Sequence, residues 1–209
     1  MLALSTLALL LAASTADPHP AALVGNYDGG QMEIAAELDL KADGRFEYAL
    51  SYGALDEEAE GRWHAEQGRV VLDGDPVTPP HFTFLGQTPA PPQTVHVDLD
   101  GPAGIDRQLF EAIVRFADGA TDGGQLSDDG LSLALKDGRR PTAVRIALPM
   151  YEVASDPVTV DPTEGLGFRF RFEPHDIGKA DLRGAALAEE GGVLVFSRFD
   201  RTLRFRRVK

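Results

Sequence analysis

Five histidines are the side chains of this sequence best suited to chemistry near neutral pH: His19, His64, His81, His96 and His175. A neutral imidazole serves as a metal ligand or as an acid–base group, and metal ligands need not be neighbours in sequence. His96 and Asp98 are spaced to share one face of a strand, and His175-Asp176 adjoins a turn. No His-Glu-x-x-His or other diagnostic ligand spacing occurs. Surface or partly buried imidazoles explain the set more simply, so no metal is expected. The acidic runs offer oxygen ligands instead. Asp98-Leu99-Asp100-Gly101 resembles part of a calcium loop. A register begun at His96 puts Arg107 at position twelve, where an EF-hand needs Glu, so that register fails. Asp118, Asp122, Asp128 and Asp129 could group in a loop, but turn chemistry explains them better. Asp56-Glu57-Glu58 with Glu60 is the densest acidic run. It suits a bound cation, a basic partner, a solvated loop, or an edge strand kept from pairing by its charge.

Covalent chemistry has little to work with. The chain has no Cys, which removes a thiolate nucleophile, thiolate metal sites and disulfides together. It has no Gly-x-Ser-x-Gly elbow and no Gly-rich phosphate loop ending in Lys-Ser or Lys-Thr. Paired carboxylates could do acid–base work only if a cleft held one of them protonated. No catalytic residue and no cofactor is therefore assigned. The remaining candidates are aromatic: Phe46, Tyr48, Trp63, Phe82 and Phe84 could line a cavity for a small apolar ligand or fill a core.

The elements that would position these groups read as short strands. Asp-Gly, a favoured pair for tight hairpin turns, occurs eight times. Leu38 and Leu40, then Phe46, Tyr48 and Leu50, alternate with polar residues on either side of Asp43-Gly44, which predicts a hairpin over 36–53. Gly61 to His64 and Arg69 to Leu72 predict a second around Gln67-Gly68. His81 to Leu85, Val95 to Leu99, Leu131 to Leu135 and Val144 to Leu148 read as further strands. Ile105, Leu109, Ile113 and Phe116 follow a helical stripe, while Ala112, Val114 and Phe116 alternate as in a strand, and the all-β surroundings favour a strand over about 110–116. Phe168, Phe170 and Phe172 alternate with Arg169 and Arg171, the pattern of a half-buried strand rather than a nucleic-acid stacking platform. About a dozen short strands predict an all-β chain, a small barrel or sandwich followed by a second β-sandwich.

Organisation follows from composition. Leu2 to Ala13 is apolar apart from Ser5 and Thr6, and small residues precede Asp17-Pro18. This predicts a signal peptide over 1–16 and a periplasmic or secreted protein. The run is too short for a membrane span, and no later segment is long and apolar enough for one. Six of the fourteen prolines fall within 76–92. Residues 89–94 then read as a Pro-rich connector between an N-terminal domain, 17–88, and a sandwich over 95–151. Residues 152–209 supply C-terminal strands that could complete the N-terminal barrel around an inserted sandwich, since chain termini often lie close together. The 209 residues carry a net charge of −13, which disfavours nucleic-acid binding. Arg198 to Lys209 is nonetheless a local +5, a basic outer face on a terminal strand or an anion-binding or membrane patch.

Gly25-Asn26-Tyr27, the first hairpin and Gly61-Arg62-Trp63 follow one another in an order that resembles lipocalin-like β-barrels of the bacterial envelope. These include the N-terminal domain of copper-resistance lipoproteins. In such barrels a Gly-x-aromatic strand opens the sheet and a Gly-x-Trp strand follows an Asp-Gly hairpin. The likeness spans about residues 23–85. The Cys residues of the lipoprotein relatives are absent, so no copper role is implied. The middle segment is similar to immunoglobulin-like, transthyretin-like or carboxypeptidase-regulatory sandwiches, and the whole chain resembles a family of secreted proteobacterial proteins that brings no activity with it. The expected function is a non-catalytic exported protein with a structural or macromolecule-binding role in the envelope. The alternatives are lipocalin-like carriage of a small apolar ligand and hydrolysis of an envelope polymer.

Overall fold

A computed structural model describes residues 21–102, 104–136 and 138–209. The segment read as a signal peptide, and His19, lie outside the described residues. The chain is all-β. Its strands are β1 Gly25–Asp28, β2 Ile34–Leu40, β3 Arg45–Tyr52, β4 Leu55–Glu66, β5 Arg69–Gly74, β6 His81–Thr88, β7 Thr94–Asp100, β8 Glu111–Phe116, β9 Thr121–Gln125, β10 Leu131–Ala134, β11 Pro141–Leu148, β12 Val153–Ala154, β13 Val158–Thr159, β14 Gly167–Glu173, β15 Ala185–Glu190, β16 Val193–Arg198 and β17 Arg201–Arg207. Among the described residues no helix is long and apolar enough to cross a membrane.

Strands β1 to β5 and β15 to β17 form a closed eight-stranded barrel in which every neighbouring pair is antiparallel. It is an up-and-down meander interrupted once, between β5 and β15. Alternation decides which side chains enter it. Leu38, Leu40, Phe46, Trp63, Leu72 and Phe205 are almost wholly covered, while their sequence neighbours face outward. Tight turns hold the register. Gln67-Gly68, Gly191-Gly192 and Phe199-Asp200 all have positive φ at both central positions, as a two-residue hairpin turn of matching twist requires. Gly61 has a different task. A Cβ there would stand 2.2 Å from the Asp73 carbonyl oxygen, so only glycine lets β4 and β5 approach this closely.

The interruption is a β-sandwich. One sheet runs β10-β7-β14-β6, with β7 and β14 parallel, and the other joins β12, β11, β8 and β9, with β13 on β11. The core between them includes Phe110, Val114, Ile146, Phe168 and Phe170. Arg169 and Arg171 point outward from β14, leaving its phenylalanines inside. Tyr151 packs against both the barrel core and the sandwich core.

This topology corrects the domain boundaries drawn from proline content. β6 pairs with β14, not with the barrel, so the sandwich begins at β6 and the N-terminal unit does not extend to residue 88. Of residues 89–94, Thr94 opens β7 and 89–93 lie between β6 and β7, two strands of one sheet, as a loop within the sandwich rather than a connector between domains. Likewise 152–209 is divided, β14 entering the sandwich and β15 to β17 the barrel. The actual connections are 75–80 and 174–184. They run together as a two-stranded neck: Thr78 and Asp176 exchange hydrogen bonds, the Thr78 N–H to Asp176 Oδ2 at 2.8 Å and the Asp176 N–H to the Thr78 carbonyl at 3.1 Å. Proline marks extended backbone, and it does so within a sheet loop as readily as between domains.

Candidate functional site

The outer face of β1 to β4 carries two rows of acidic side chains across the sheet. Along the first, Asp28 faces Glu37, Glu37 faces Ala49 and Ala49 faces Glu58. Along the second, Asn26 faces Asp39, Asp39 faces Glu47 and Glu47 faces Glu60. Period two puts these residues outside because Leu38, Leu40, Phe46 and Tyr48 must go inside. Three of the facing pairs are like-charged: Asp28–Glu37, Asp39–Glu47 and Glu47–Glu60. Directly opposed like charges destabilise a sheet. The rows line a groove of about 760 Å³, bounded by Lys179 of the neck and by Val208.

Compensation is uneven. Lys41 pairs with Glu47, and Arg45 reaches Glu60 at 3.3 Å and Asp75 at 3.0 Å. Among the described residues no salt bridge reaches Asp28, Glu37, Asp39 or Glu58. Arg206 lies opposite Asp28 at one end of the first row, and at the other the backbone of Glu58 pairs with that of Lys179 in an isolated β-bridge. The groove lining contains no Ser, Thr, Cys or His. It can attract and hold positive charge.

The run Asp56 to Glu60 is not a loop. It lies in the first half of β4, laddered to β3 throughout, while β5 joins β4 only from Gly61 onward and the other side of the run meets the neck at the single bridge of Glu58 with Lys179; alternation splits it. Asp56, Glu58 and Glu60 face out, while Glu57 faces into the barrel and is buried. Its partner is Arg198, which grips both carboxylate oxygens, with Nε at 3.0 Å from Oε1. The Tyr48 hydroxyl donates to the same Oε1 at 3.2 Å. Burial first, and then the negative charge of Glu57, push the Tyr48 hydroxyl well above its ordinary range. Burial works against the charge of Arg198, but the hydrogen bond to Glu57 and the charges of Glu57, Tyr48 and Glu152 together outweigh it and leave its pKa raised.

The five aromatics proposed as a ligand lining do not share a cavity. Phe46, Tyr48 and Trp63 belong to the barrel core, whereas Phe82 and Phe84 lie on β6 of the sandwich, with Phe82 packed against Phe110 and Phe172. Phe46 and Trp63 are 0% and 1% exposed, so protein atoms already cover them. The Trp63 indole N–H donates to the Lys41 carbonyl at 3.0 Å. Strand pattern gave the inward face of Phe46, Tyr48 and Trp63, but Phe84 is 38% exposed, and membership of a sheet is a long-range property that the pattern does not carry.

Arginines engage Asp98, Asp118 and Asp122 of the loops weighed for calcium. Arg107 donates to the Leu99 carbonyl at 2.6 Å, to Asp98 Oδ1 at 2.9 Å and to the Ser127 carbonyl at 3.1 Å. Its guanidinium thus takes up oxygens that a cation would need. Arg139 stacks on Phe116 and stands 3.8 Å from Asp118 and 3.9 Å from Asp122. Four arginines of the basic stretch 198–209, which spans the end of β16 and all of β17, are similarly engaged: Arg198 with Glu57, Arg201 with Tyr52, Arg204 with Glu190, and Arg207 with the carbonyls of Ala22 and Val24.

The histidines divide. His64 lies near Glu66, and His96 Nδ1 is 3.0 Å from the Ser132 hydroxyl. His81 and His175 converge with Glu173, a residue that sequence reasoning passed over. The spacing Glu173-Pro174-His175 was the available local signal, but its third member is remote in sequence. Comparison with known proteins finds no family model, no curated protein and no solved structure that matches this chain.

Proposed function

We propose that this chain is an exported, non-catalytic β protein that holds a cationic segment of an envelope macromolecule against the outer face of its barrel. The observation that carries the reading is the groove with opposed carboxylates on β1 to β4. Like charges facing one another cost stability when the face is empty, and a basic partner relieves that cost on binding. The apolar run Leu2 to Ala13 supports export. Carriage of a small apolar ligand has less support, because Phe46 and Trp63 fill the barrel and the Glu57–Arg198 pair occupies its interior. Hydrolysis has none in the groove, whose carboxylates are exposed rather than held in the dry setting a general acid needs.

The test is fluorescence anisotropy with a labelled Lys/Arg-rich peptide. One variant neutralises Glu37, Asp39 and Glu47. A second removes the same charge elsewhere, at Asp129, Asp156 and Glu164. The reading expects about tenfold weaker binding in the first, or ~1.4 kcal/mol, and less than about twofold in the second. Equal losses in both would reduce the effect to net charge and overturn it.

A further inference from the structure

The neck between the barrel and the sandwich brings His81, Glu173 and His175 together, with one ligand atom from each all lying within 4.8 Å of one another. We propose that these three side chains bind a divalent transition-metal ion of the zinc type and so clamp the incoming and outgoing strands of the sandwich. The positioning is built into the backbone. His81 opens β6, Glu173 closes β14, and the two are direct partners in the antiparallel register. The His81 imidazole already touches the Glu173 carboxylate. His175 follows two residues later and stacks on His81, ring centroids 5.0 Å apart and planes 23° from parallel.

Three further features suit a ligand set rather than a simple ion pair. His175 has φ +39°, a left-handed conformation that a non-glycine residue adopts at a cost. The turn that holds it there is tied down on both sides. Asp176 exchanges hydrogen bonds with Thr78, and the Ile177 N–H donates to the Pro174 carbonyl at 2.8 Å. The carboxylate has a supporting contact as well, from the Thr83 hydroxyl to Glu173 Oε2 at 3.2 Å. Such outer contacts orient ligating carboxylates. Two imidazoles and a carboxylate select zinc and its neighbours over calcium or magnesium, which take oxygen ligands. In tetrahedral zinc sites, bonds of about 2.1 Å place ligand atoms roughly 3.4 Å apart, so small side-chain rotations suffice. Three protein ligands leave the fourth position to water or to a group on a partner.

The test is calorimetric titration of the full chain, stripped with chelator, with Zn²⁺ alone and with Ca²⁺ as the hard-cation control. The proposal expects one Zn²⁺ per chain and no Ca²⁺ binding here. His81→Ala and His175→Gly should each weaken Zn²⁺ by at least the ~10–100-fold lost when supporting groups are removed, and Thr83→Val by about tenfold. Glycine fits the left-handed backbone at 175, so the second variant removes the ligand while favouring the fold. Co²⁺ loaded in place of Zn²⁺ should give visible absorption bands that both His variants lose. Neutralising Glu37, Asp39 and Glu47 should leave Zn²⁺ binding unchanged, which separates this site from the acidic barrel face. Absence of saturable Zn²⁺ binding, or binding that survives His81→Ala and His175→Gly, would overturn the proposal.

Discussion

Glu57 and Arg198 show how one residue's position in an alternation governs its chemistry. Four acids stand within five positions of β4, and only the one facing inward meets a cation across the barrel. A buried pair is costly to break and cheap to replace whole. Glu57→Leu alone, leaving a partly buried guanidinium without its carboxylate, should cost about 3 kcal/mol in denaturant unfolding, and Arg198→Met alone a similar amount. The double variant should recover most of this, ending within about 1 kcal/mol of the parent. Additive losses would show that the two residues act separately. Tyr48 adds a pH signature. Its folded pKa is raised by burial from the ordinary 10.0, so its contribution is complete below about pH 10 and is lost as pH rises beyond that. Stability should therefore fall on the alkaline side, and Tyr48→Phe should make that fall shallower, as read from denaturant midpoints across the range. An unchanged slope would contradict the assignment of this proton to Tyr48.

At the scale of elements, period-two patterning was legible for most of the strands. Leu38, Leu40, Phe46 and Tyr48 gave the first hairpin, and Gln67-Gly68 the second, because both the inward face and the turn chemistry are local. Asp-Gly was less reliable as punctuation. Asp43-Gly44 turns the chain, but Asp73-Gly74 and Asp122-Gly123 lie within strands. Gly123 is there for close approach, since a Cβ would meet the Ala112 carbonyl oxygen at 2.1 Å. The turn between β16 and β17 was hidden because neither of its residues is glycine: Phe199 and Asp200 have φ of 50° and 54°. Phe199 is kept by packing on the barrel core and under Arg198. Asp200→Gly should remove the left-handed strain and stabilise the protein by up to about 1 kcal/mol, seen as a higher unfolding midpoint. A lower midpoint would mean that the Asp200 side chain does more than turn the chain.

The whole molecule is a barrel whose meander is opened once to admit a sandwich. An inserted sandwich was one of the arrangements the C-terminal strands allowed, but its boundaries were not legible from proline content, because the strands on either side of the insertion look alike in sequence and differ only in remote partners. β5 pairs with β15 across 110 residues of separation between Gly74 and Ala185, so the barrel closes without the sandwich contributing a strand. Ala180 and Leu182 of the neck belong to the barrel core and must be kept with it. A chain in which residues 76–178 are replaced by a short Gly/Ser linker should fold, with β-type circular dichroism and a cooperative transition, at somewhat lower stability through loss of the Tyr151 contacts. A non-cooperative transition would show that the barrel depends on its insert.

The same view of the molecule explains why the acidic face was only half visible. The run at 56–60 was evident in the sequence, but its alignment with Asp28, Glu37, Asp39 and Glu47 requires the register of four strands. The most direct check of the proposed binding role is residue-resolved nuclear magnetic resonance. Backbone amide shifts would be followed while a Lys/Arg-rich peptide is added to the ¹⁵N-labelled chain. The account predicts saturable shifts concentrated on β1 to β4 around Glu37, Asp39, Glu47 and Glu58, with the sandwich strands unmoved. Shifts spread evenly over all acidic surfaces, or gathered on the sandwich, would contradict it.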